Sequence, residues 1–491
     1  MSGTGNVELT ILDGSSGSVN VPLSSVYVVI GTSSSGTAAT VVASRNKTSL
    51  ASTVGYGPAV DLAAMLIEAG GTVLFVKAAS ASAGAASAVT AFATGTSVVT
   101  VSGTPYDAYL VKLRVANGGT VGTAGIRIQI SLDAGRNYGP EIYLGTANSY
   151  AMTGTGLTLA FAAGTMVTGE SVTFGCTEPR PDAAGVQACL TALSLSPYAV
   201  TGWGGMIIQG VWTGANATTI AGYLTTLANG EIFSRAFIAP RDVALPTAYG
   251  GAGETEATWG AAIVADFVAV AAPRISAVAG AYNMTANYPV ACAGASVLRR
   301  PLLWAYAARR IAIEVQRHAG RVQDGPLTQI VIDPTNDPTD GFVYHDEETT
   351  PLLNVGRFIA ARSRKGKPGL FVSNDVTMAS PGSVFTLVPR ALVMDVGCTL
   401  LTQLGTEEIN ADILLNTNGT IDEGEAQRIE SYISGVMNER MLNAGMLSAP
   451  GVVVVVDRAN NVRTTEQVNL SASLYSKGYV LQVNATIGYA P

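Results

Sequence analysis

The acidic run YHDEETT brings together side chains suited to chemistry. It holds His345, Asp346, Glu347 and Glu348, residue types that bind metal ions or transfer protons. Adjacent residues in one loop do not converge on a single point without ligands from elsewhere, and the other histidine, His318, falls in a predicted helix. We therefore interpret the run as a solvated acidic loop and predict neither a catalytic nor a metal site.

Other signatures of enzymes and cofactor-binding proteins are missing from the sequence. It contains no GxGxxG, no GxxxxGK[ST] and no GxSxG pattern, so it offers no phosphate-binding loop or nucleophile elbow. SLDAGRNYG has too few carboxylates for a calcium loop and is interpreted as a hairpin turn. The cysteines are far apart and are interpreted as buried thiols: Cys176, Cys189, Cys292 and Cys398. No enzyme activity and no cofactor are predicted.

Composition limits the partners. The 491 residues suggest roughly three domains of about 150 residues each. With 48% apolar and 13% charged residues, a net charge of −7 and a pI near 5.0, nucleic acid is not expected as a direct partner. The N-terminus lacks a signal-peptide pattern, and the most apolar helical run carries Asp266 and is interrupted by Pro273. We therefore expect synthesis in a cytoplasm and no membrane insertion.

Two groups of basic residues leave alternatives open. One surrounds a helical pattern from Pro301 to His318, and the other follows it in a loop. Each group is either a solvated surface whose side-chain stems pack on the protein or a contact for an acidic partner. The first comprises Arg299, Arg300, Arg309, Arg310, Arg317 and Arg321, and the second comprises Arg357, Arg362, Arg364, Lys365 and Lys367.

The apolar patterns predict an α/β (α+β) protein with mixed sheets flanked by helices. A strand, a helix and a second strand succeed one another in VYVVIG, GPAVDLAAMLIEAGG and TVLFVKA. An Ala/Ser/Thr/Gly stretch after residue 78 is interpreted as a linker. Short alternating strands then predict an inserted all-β unit that extends to about Glu178.

The C-terminal region predicts a helix followed by strands. Within EGEAQRIESYISGVMNERMLNAG, the residues expected on one buried side are Ala426, Ile429, Ile433, Val436 and Met437. The strand VVVVV follows, and then an alternating strand whose apolar positions are Val468, Leu470, Ala472 and Leu474.

Both ends of the chain carry alternating strands. Near the start, apolar residues alternate with polar ones at Val7, Leu9 and Ile11. The last stretch, KGYVLQVNATIGYAP, alternates at Tyr479, Leu481, Val483, Ala485, Ile487 and Tyr489. A long edge strand at a chain end can pair with another chain, and we therefore predict that these strands are exchanged between copies.

These segments resemble contractile phage tail sheath proteins. The N-terminal resemblance lies in VYVVIGTSSSGTA and the residues through TVLFVKA, and the C-terminal one in NGTIDEGEAQRIESYISGVMNERMLNAGML, VVVVVDRANN and KGYVLQVNATIG. The all-β unit is similar to the protruding domains of sheath-like phage proteins. The chain is shorter than the larger phage sheaths.

The resemblance implies a multidomain sheath fold and a structural role. Copies would polymerise helically as stacked rings around a tail tube and contract to drive the tube through the host envelope. The implied partners are other copies, the tail tube protein, and baseplate and tail terminator proteins, in a virion tail assembled in the host cytoplasm. The implied tube-facing helix would expose Arg428, Glu430, Glu439 and Arg440.

The implied division of the chain has five parts. They are an N-terminal arm (1–20), the first part of a middle α/β domain (21–98), a protruding β domain (99–178), the second part of the middle domain (179–344) and an inner domain with the terminal arm strand (345–491). Alternatives are the sheath of a tail-derived bacteriocin or contractile injection system, a β-rich surface adhesin, and a hydrolase using residues 345–348.

Overall fold

The computed structural model describes residues 26–294, 296–332 and 346–481. Its strands are β1 (Val26–Gly31), β2 (Val41–Ser44), β3 (Thr72–Lys77), β4 (Val99–Gly103), β5 (Tyr109–Asn117), β6 (Gly119–Thr120), β7 (Arg127–Ser131), β8 (Ile142–Tyr143), β9 (Ser149–Met152), β10 (Leu157–Phe161), β11 (Thr165–Met166), β12 (Ser171–Cys176), β13 (Gly205–Ile208), β14 (Ala236–Ile238), β15 (Ile275–Ala277), β16 (Ala281–Thr285), β17 (Val297–Pro301), β18 (Ile330–Ile332), β19 (Ala361–Arg364), β20 (Lys367–Val372), β21 (Leu447–Val456) and β22 (Leu470–Ser476).

The helices lie between and around these strands. They are α1 (Lys47–Val54), α2 (Pro58–Glu68), α3 (Ala183–Ser194), α4 (Tyr198–Thr201), α5 (Gly214–Asn229), α6 (Glu256–Phe267), α7 (Leu302–Ala312), α8 (Asp346–Val355), α9 (Val388–Glu407), α10 (Glu423–Met437) and α11 (Val462–Thr465). Short 3-10 turns occupy Thr247–Tyr249 and Val322–Asp324, and a π-helical turn, Asn438–Leu442, continues α10.

A six-stranded sheet forms the centre of the fold. Its order is β15-β14-β13-β1-β3-β2, and all neighbours pair in parallel except β2, which runs antiparallel to β3. The apolar run of β1 suits a strand buried on both faces. Val28 and Ile30 contribute to one core and Tyr27 and Val29 to the other. The predicted β-α-β unit is confirmed as β1, α2 and β3.

Helices cover both faces of this sheet. One core includes residues of α3, α5 and α6. The opposite core includes residues of α2, α7, α9, α10 and the C-terminal strands. Polar side chains begin several of these helices, as at Asp182, Thr213 and Thr255, each of which accepts a hydrogen bond from a first-turn backbone N–H. The C-terminal region therefore shares one continuous core with the central sheet.

The strands from β4 to β12 enclose a core of their own. They form sheets with the orders β4-β10-β9, β11-β6 and β12-β5-β7-β8. The alternating apolar residues of the predicted all-β unit contribute to this core: Val111, Leu113, Val115, Ile126, Ile128, Ile130, Leu132, Leu157, Leu159 and Phe161. Cys292, Ala293 and Leu298 of the later chain join the same core, so it is continuous with the body of the protein.

The interpretation of the stretch after residue 78 as a linker is wrong, because this stretch pairs with the end of the β-rich region. Backbone N–H groups of Ser82, Ser87 and Thr90 donate to Arg180, Gly175 and Thr173, respectively. Phe92 is buried. Small residues occur here because the segment lies directly against another strand.

The helix expected from Pro301 to His318 is shorter than predicted, and it ends at Ala312. The guanidinium of Arg310 turns back and donates to the carbonyl oxygens of Val315 and Arg317. These hydrogen bonds stabilise a loop after the helix, and His318 lies in that loop.

Candidate assembly interface

The C-terminal hairpin β21–β22 has one covered and one exposed face. Its strands are antiparallel, with Val456 opposite Leu470, Val454 opposite Ala472 and Val452 opposite Leu474. These pairs face the core, whereas Val453 and Val455 on the other face are 39% and 50% exposed. A two-stranded sheet is marginally stable unless something packs on it, and here the core provides that support.

Helix α10 packs on the covered face of the hairpin region. Asp422 accepts a hydrogen bond from the N–H of Gly424 at its start, which satisfies a free helix-end donor. Burial of the predicted apolar side is confirmed: Ala426, Ile429, Ile433 and Met437 are buried, and Val436 is partly buried.

Charged residues of the predicted tube-facing helix are partly engaged within the chain. Arg428 pairs with Glu408, directly after α9, at 2.7 Å and with Glu425 at 2.8 Å. Glu430 pairs with Arg458, which lies just beyond β21. Glu439 and Arg440 are exposed and make no ion pair within the described residues. These two therefore offer the more accessible charge.

Arg458 joins two carboxylates on the helix. It donates to Glu423 and Glu430, and these hydrogen bonds lower the pKa of Glu430 and lower the pKa of Glu423 to about 2. Both carboxylates therefore stay ionised through the physiological range. The cluster connects α10 to the end of β21.

The described part of the predicted terminal strand is not a strand within the subunit. Residues 477–481 have no regular secondary structure. The Tyr479 hydroxyl donates to the carbonyl oxygen of Gln316 at 2.8 Å, and its ring lies 6.2 Å from the His318 ring. Leu481 is 66% exposed. The chain is therefore held at Tyr479 and emerges onto the surface at Leu481.

The other predicted arm-strand residues lie outside the described part of the chain. They are Val7, Leu9, Ile11, Val483, Ala485, Ile487 and Tyr489. Their exchange between copies stays a prediction.

The acidic run is not a loop throughout, contrary to our interpretation. Asp346, Glu347 and Glu348 lie in the first turn of α8. His345 lies outside the described residues. Among the residues that the structure describes, no group of three or more His, Cys, Asp or Glu side chains could hold a metal ion.

The cysteines are free thiols. Cys176, Cys189 and Cys292 are buried, and Cys398 is partly buried. Burial raises the pKa of Cys176 and of Cys189 to about 12, so the reactive thiolate is disfavoured. Within the described ranges, no helix is long and apolar enough to cross a membrane.

Arg300 and Arg310, two members of the first basic group, are buried. The alternative that they form a solvated surface is therefore wrong. Arg300 binds Asp107 through both terminal nitrogens and Asp61 at 2.8 Å. Burial alone would lower the pKa of Arg300, but the charges of Asp107 and Asp61 outweigh it and raise that pKa. Arg310 lies beside the fully buried Asp375. In the sequence, the apolar residues around Arg310 in its helix indicated that this arginine is buried.

These features define a mixed α/β protein whose C-terminal hairpin is supported on one face by the core. The family model described as DUF2586, N-terminal domain, matches residues 4–376. Because this is more than half of the chain, the protein belongs to that family. Among curated proteins, no match was found.

Three solved structures that are similar to this chain are described as sheath proteins. The sheath tail protein from Desulfitobacterium hafniense is 9% identical, with a TM-score of 0.47 over 92% of this chain and 96% of that chain. The sheath tail protein from Listeria innocua is 12% identical, with a TM-score of 0.46 over 92% and 95%. The contracted helical sheath of the anti-feeding prophage is 10% identical, with a TM-score of 0.41 over 64% and 77%. All three are described as sheath proteins, the class that the sequence segments resemble.

Proposed function

We propose that this protein is the structural subunit of a contractile tail sheath. Copies polymerise helically around a tail tube, and contraction of the assembly drives the tube through the host envelope. The role is structural and requires no cofactor or catalytic site. The observation that carries the proposal is the C-terminal hairpin, which has two strands within the described residues and is followed by a segment with an alternating apolar pattern.

The hairpin and the terminal segment are complementary. A two-stranded sheet keeps backbone groups available for an added strand. The eleven residues from Tyr479 to Tyr489 alternate as a half-buried strand does. Each backbone hydrogen bond formed would contribute about 0.5–1.5 kcal/mol net, and each fully buried apolar side chain about 1.5–3 kcal/mol. Strand addition can therefore join copies firmly without any bound ligand.

Such joints allow a large rearrangement without dissociation. Residues 477–481 follow β22 without regular secondary structure, and loops at element ends are the usual hinges of rigid-body motion. Subunits then change their relative positions while the exchanged strands stay paired. The free energy for contraction resides in a metastable extended lattice, so no nucleotide site is needed.

The parts of the chain have separate roles in this proposal. The C-terminal region and the N-terminal arm lie nearest the tube, with Glu439 and Arg440 among the exposed charges on that side. The β-rich region at residues 99–178 protrudes outward. Partners are other copies, the tube protein, the baseplate and the tail terminator, with no direct nucleic acid contact and no membrane insertion. The location is a virion tail assembled in the host cytoplasm.

Two substitutions in the terminal segment test the proposal. Val483→Asp places a charge on the apolar side of the strand, and Asn484→Asp places the same charge on its polar side. Because a buried unpaired charge costs several kcal/mol, we expect negative-stain images to show hollow striated cylinders for the unmodified protein and for Asn484→Asp, and dispersed particles for Val483→Asp. Dispersed particles from the unmodified protein, or equal assembly of both variants, would refute the proposal.

The sheath of a tail-derived bacteriocin or injection system is the alternative with the same assembly chemistry. Both kinds of particle require the same strand exchange, so the experiment above supports a sheath in either case. A tail that carries a genome-filled head in electron micrographs identifies the phage, and headless cylinders identify the alternative.

A further inference from the structure

A cavity of about 230 Å³ lies where the β-rich region meets the body of the protein. Three parts of the chain form its wall: the start of α2 with the residues before it, the β-rich region, and the chain on either side of the start of β17. Sites for drug-sized ligands have volumes of roughly 300–1,000 Å³. A molecule bound in this junction cavity would therefore be small, and it would contact both the β-rich region and the body.

Buried charges line the junction cavity. Asp61, Asp107 and Arg300 are each less than one-tenth exposed. Arg300 Nη2 donates to Asp61 at 2.8 Å and to Asp107 at 2.6 Å, so the two carboxylates lie side by side on one nitrogen. With both carboxyl groups ionised, one guanidinium faces two carboxylates. The wall then carries an excess of one negative charge.

Nothing else in the wall offsets this excess. Among the described residues that line the junction cavity, Arg300 is the only one with a cationic side chain. The Trp304 ring holds Arg300 in place, since its centroid lies 4.5 Å from the guanidinium carbon. Because a buried charge is costly unless it is paired, a cation in the cavity would stabilise the junction.

The Ser296 hydroxyl is a further acceptor in the same wall. Ser296 is less than one-tenth exposed, and its Oγ is buried without a hydrogen-bond partner within the described residues. Most buried polar side-chain atoms in proteins have a partner, because an unsatisfied one lowers stability. A ligand that donates a hydrogen bond into the cavity would satisfy Ser296.

These acceptors suit an ammonium group better than a metal ion. A primary ammonium has three N–H donors, and the wall offers two carboxylates and one hydroxyl. Calcium and magnesium take about six or more oxygen ligands. In the described part of the chain, no group of three or more His, Cys, Asp or Glu side chains could hold a metal ion.

Aromatic rings provide a surface for an apolar body. The rings of Tyr56 and Tyr288 both line the junction cavity and meet edge to face, with centroids 5.8 Å apart. The Tyr288 hydroxyl donates to the Lys47 carbonyl at 2.8 Å, which fixes its ring. Tyr56 is half exposed and so lies on the side open to solvent. Ring faces attract cations and pack against apolar groups.

We propose that the junction cavity binds a small primary ammonium compound. Asp61, Asp107 and Ser296 accept its three N–H donors, and the rings of Tyr56 and Tyr288 contact its apolar body. The bound compound joins Asp107 of the β-rich region to Asp61 and Ser296 of the body. All of these residues belong to one copy of the chain, so the site is independent of the sheath role and requires no assembled particle.

A proton on Asp107 is the competing way to remove the excess charge. Burial raises the pKa of Asp107, although the charge and the hydrogen bonds of Arg300 oppose this effect. A protonated Asp107 would leave the wall neutral. The cavity would then show no preference for a cation over a neutral molecule of the same shape.

Isothermal titration calorimetry on the full chain at neutral pH separates the two. Benzylamine is protonated under these conditions, and benzyl alcohol is a neutral molecule of nearly the same shape. Because charge-assisted hydrogen bonds are about twice as strong as neutral ones, we expect the amine to bind about tenfold more tightly than the alcohol. The amine should also raise the melting temperature, since it binds only the folded chain.

Two results of this titration would overturn the proposal. One is equal affinity for benzylamine and benzyl alcohol, which is the result that a proton on Asp107 predicts. The other is the absence of binding by all three of methylamine, butylamine and benzylamine, whose apolar bodies differ in size.

Substitution of Ser296 tests the position of the site without disturbing the ion pairs. Ser296→Ala removes an unsatisfied hydroxyl, so without ligand the variant should melt at the same temperature as the unmodified protein or higher. Because one acceptor is lost, its affinity for benzylamine should fall about fivefold. Ser102→Ala is the matched control, since Ser102 is an exposed serine of β4 that lies outside the cavity wall, and it should change neither quantity.

Asp107→Asn keeps the shape of the side chain and removes its charge. We expect this variant to lose the preference for benzylamine over benzyl alcohol. If it does not fold, the Ser296→Ala measurement decides the outcome alone. An unchanged benzylamine affinity in Ser296→Ala would overturn the proposed site, as would a lower melting temperature of that variant without ligand, because the hydroxyl would then have a structural partner.

Discussion

Replacing Arg300 with Met tests the buried ionic cluster that joins the β-rich region to the body of the protein. Arg300 lies on β17, whereas Asp107 immediately precedes β5 and Asp61 lies on α2. The Arg300 side chain is 2% exposed, and its partners are 9% and 6% exposed. The substitution keeps the side chain's length and removes its charge.

Asp61 and Asp107 keep different numbers of hydrogen bonds when Arg300 is replaced. Asp61 still accepts hydrogen bonds from the backbone N–H and the side-chain amide of Asn287, at 2.8 and 3.0 Å. Within the described residues, Asp107 keeps only the hydrogen bond from the N–H of Ala108, at 2.8 Å. Removing one partner of a buried pair costs about 3–5 kcal/mol because the remaining charge is left uncompensated. We expect Arg300→Met to lower the free energy of unfolding by this amount.

Urea unfolding followed by circular dichroism and tryptophan fluorescence measures the loss. Trp304 is a local reporter, since the Arg300 guanidinium lies 4.5 Å from its ring centroid. The double variant Arg300→Met with Asp107→Leu is the matched control. Because an apolar pair can replace a buried ion pair with little loss, it should recover more than half of the lost free energy. A single variant within about 1 kcal/mol of the unmodified protein would refute the reasoning.

Burial and the nearby charges of Arg310 and Arg364 lower the pKa of His318, while Asp375 opposes them. The unfolded chain then binds a proton at His318 more readily than the folded chain does. The contribution of His318 to the free energy of unfolding should therefore be full above about pH 6.5 and be lost as the pH falls below it. Urea midpoints at pH 5.5 and 7.5, compared with those of His318→Gln, measure this loss, and an identical pH response in both proteins would contradict it. Alanine at all of residues 345–348 should leave assembly unchanged and remove no bound metal by elemental analysis; loss of stoichiometric zinc or calcium would contradict it. Photo-crosslinking from Glu439 in assembled tails should reach the tube protein, whereas links only to other sheath subunits would show that α10 merely covers the inner sheet.

Replacement of residues 99–178 by a short linker needs a compensating change that the sequence alone did not indicate. The protruding role predicts that assembly survives the deletion. The structure adds that deletion removes Asp107 from Arg300 and Asp133 from the Val297 N–H. The linker variant should therefore form cylinders more readily when it also carries Arg300→Met. Without this change, the buried Arg300 guanidinium would keep its charge but lose Asp107 as a partner.

Local patterns in the sequence predicted the elements whose apolar spacing is regular. The alternation at Leu157, Leu159 and Phe161 and the helical spacing at Ile429 and Ile433 both correspond to buried faces. These signals come from neighbours a few residues apart, so one segment of sequence contains all of the information.

Interactions between distant residues could not be predicted in this way. Arg300 and Asp107 are separated by 193 positions, and Arg310 and Asp375 by 65. Because the sequence does not show that such distant residues meet, the charge of these arginines favoured the prediction that they are exposed. The hydrogen bonds between the Asn438 carboxamide and the Val452 backbone were equally hidden, because they depend on how the helix end lies against β21. A polar residue at the end of a helix has many possible roles, and only the fold selects this one.

The most direct test of strand exchange in a sheath is the assembly state of a chain that lacks residues 479–491, measured by sedimentation velocity and electron microscopy beside the unmodified chain. Strand exchange predicts cylinders from the unmodified chain. The shortened chain should be a cooperatively melting monomer that does not join cylinders of the unmodified chain normally. Normal, contractile cylinders from the shortened chain would contradict strand exchange, and an unfolded, aggregated product would show that the segment belongs to its own subunit's core.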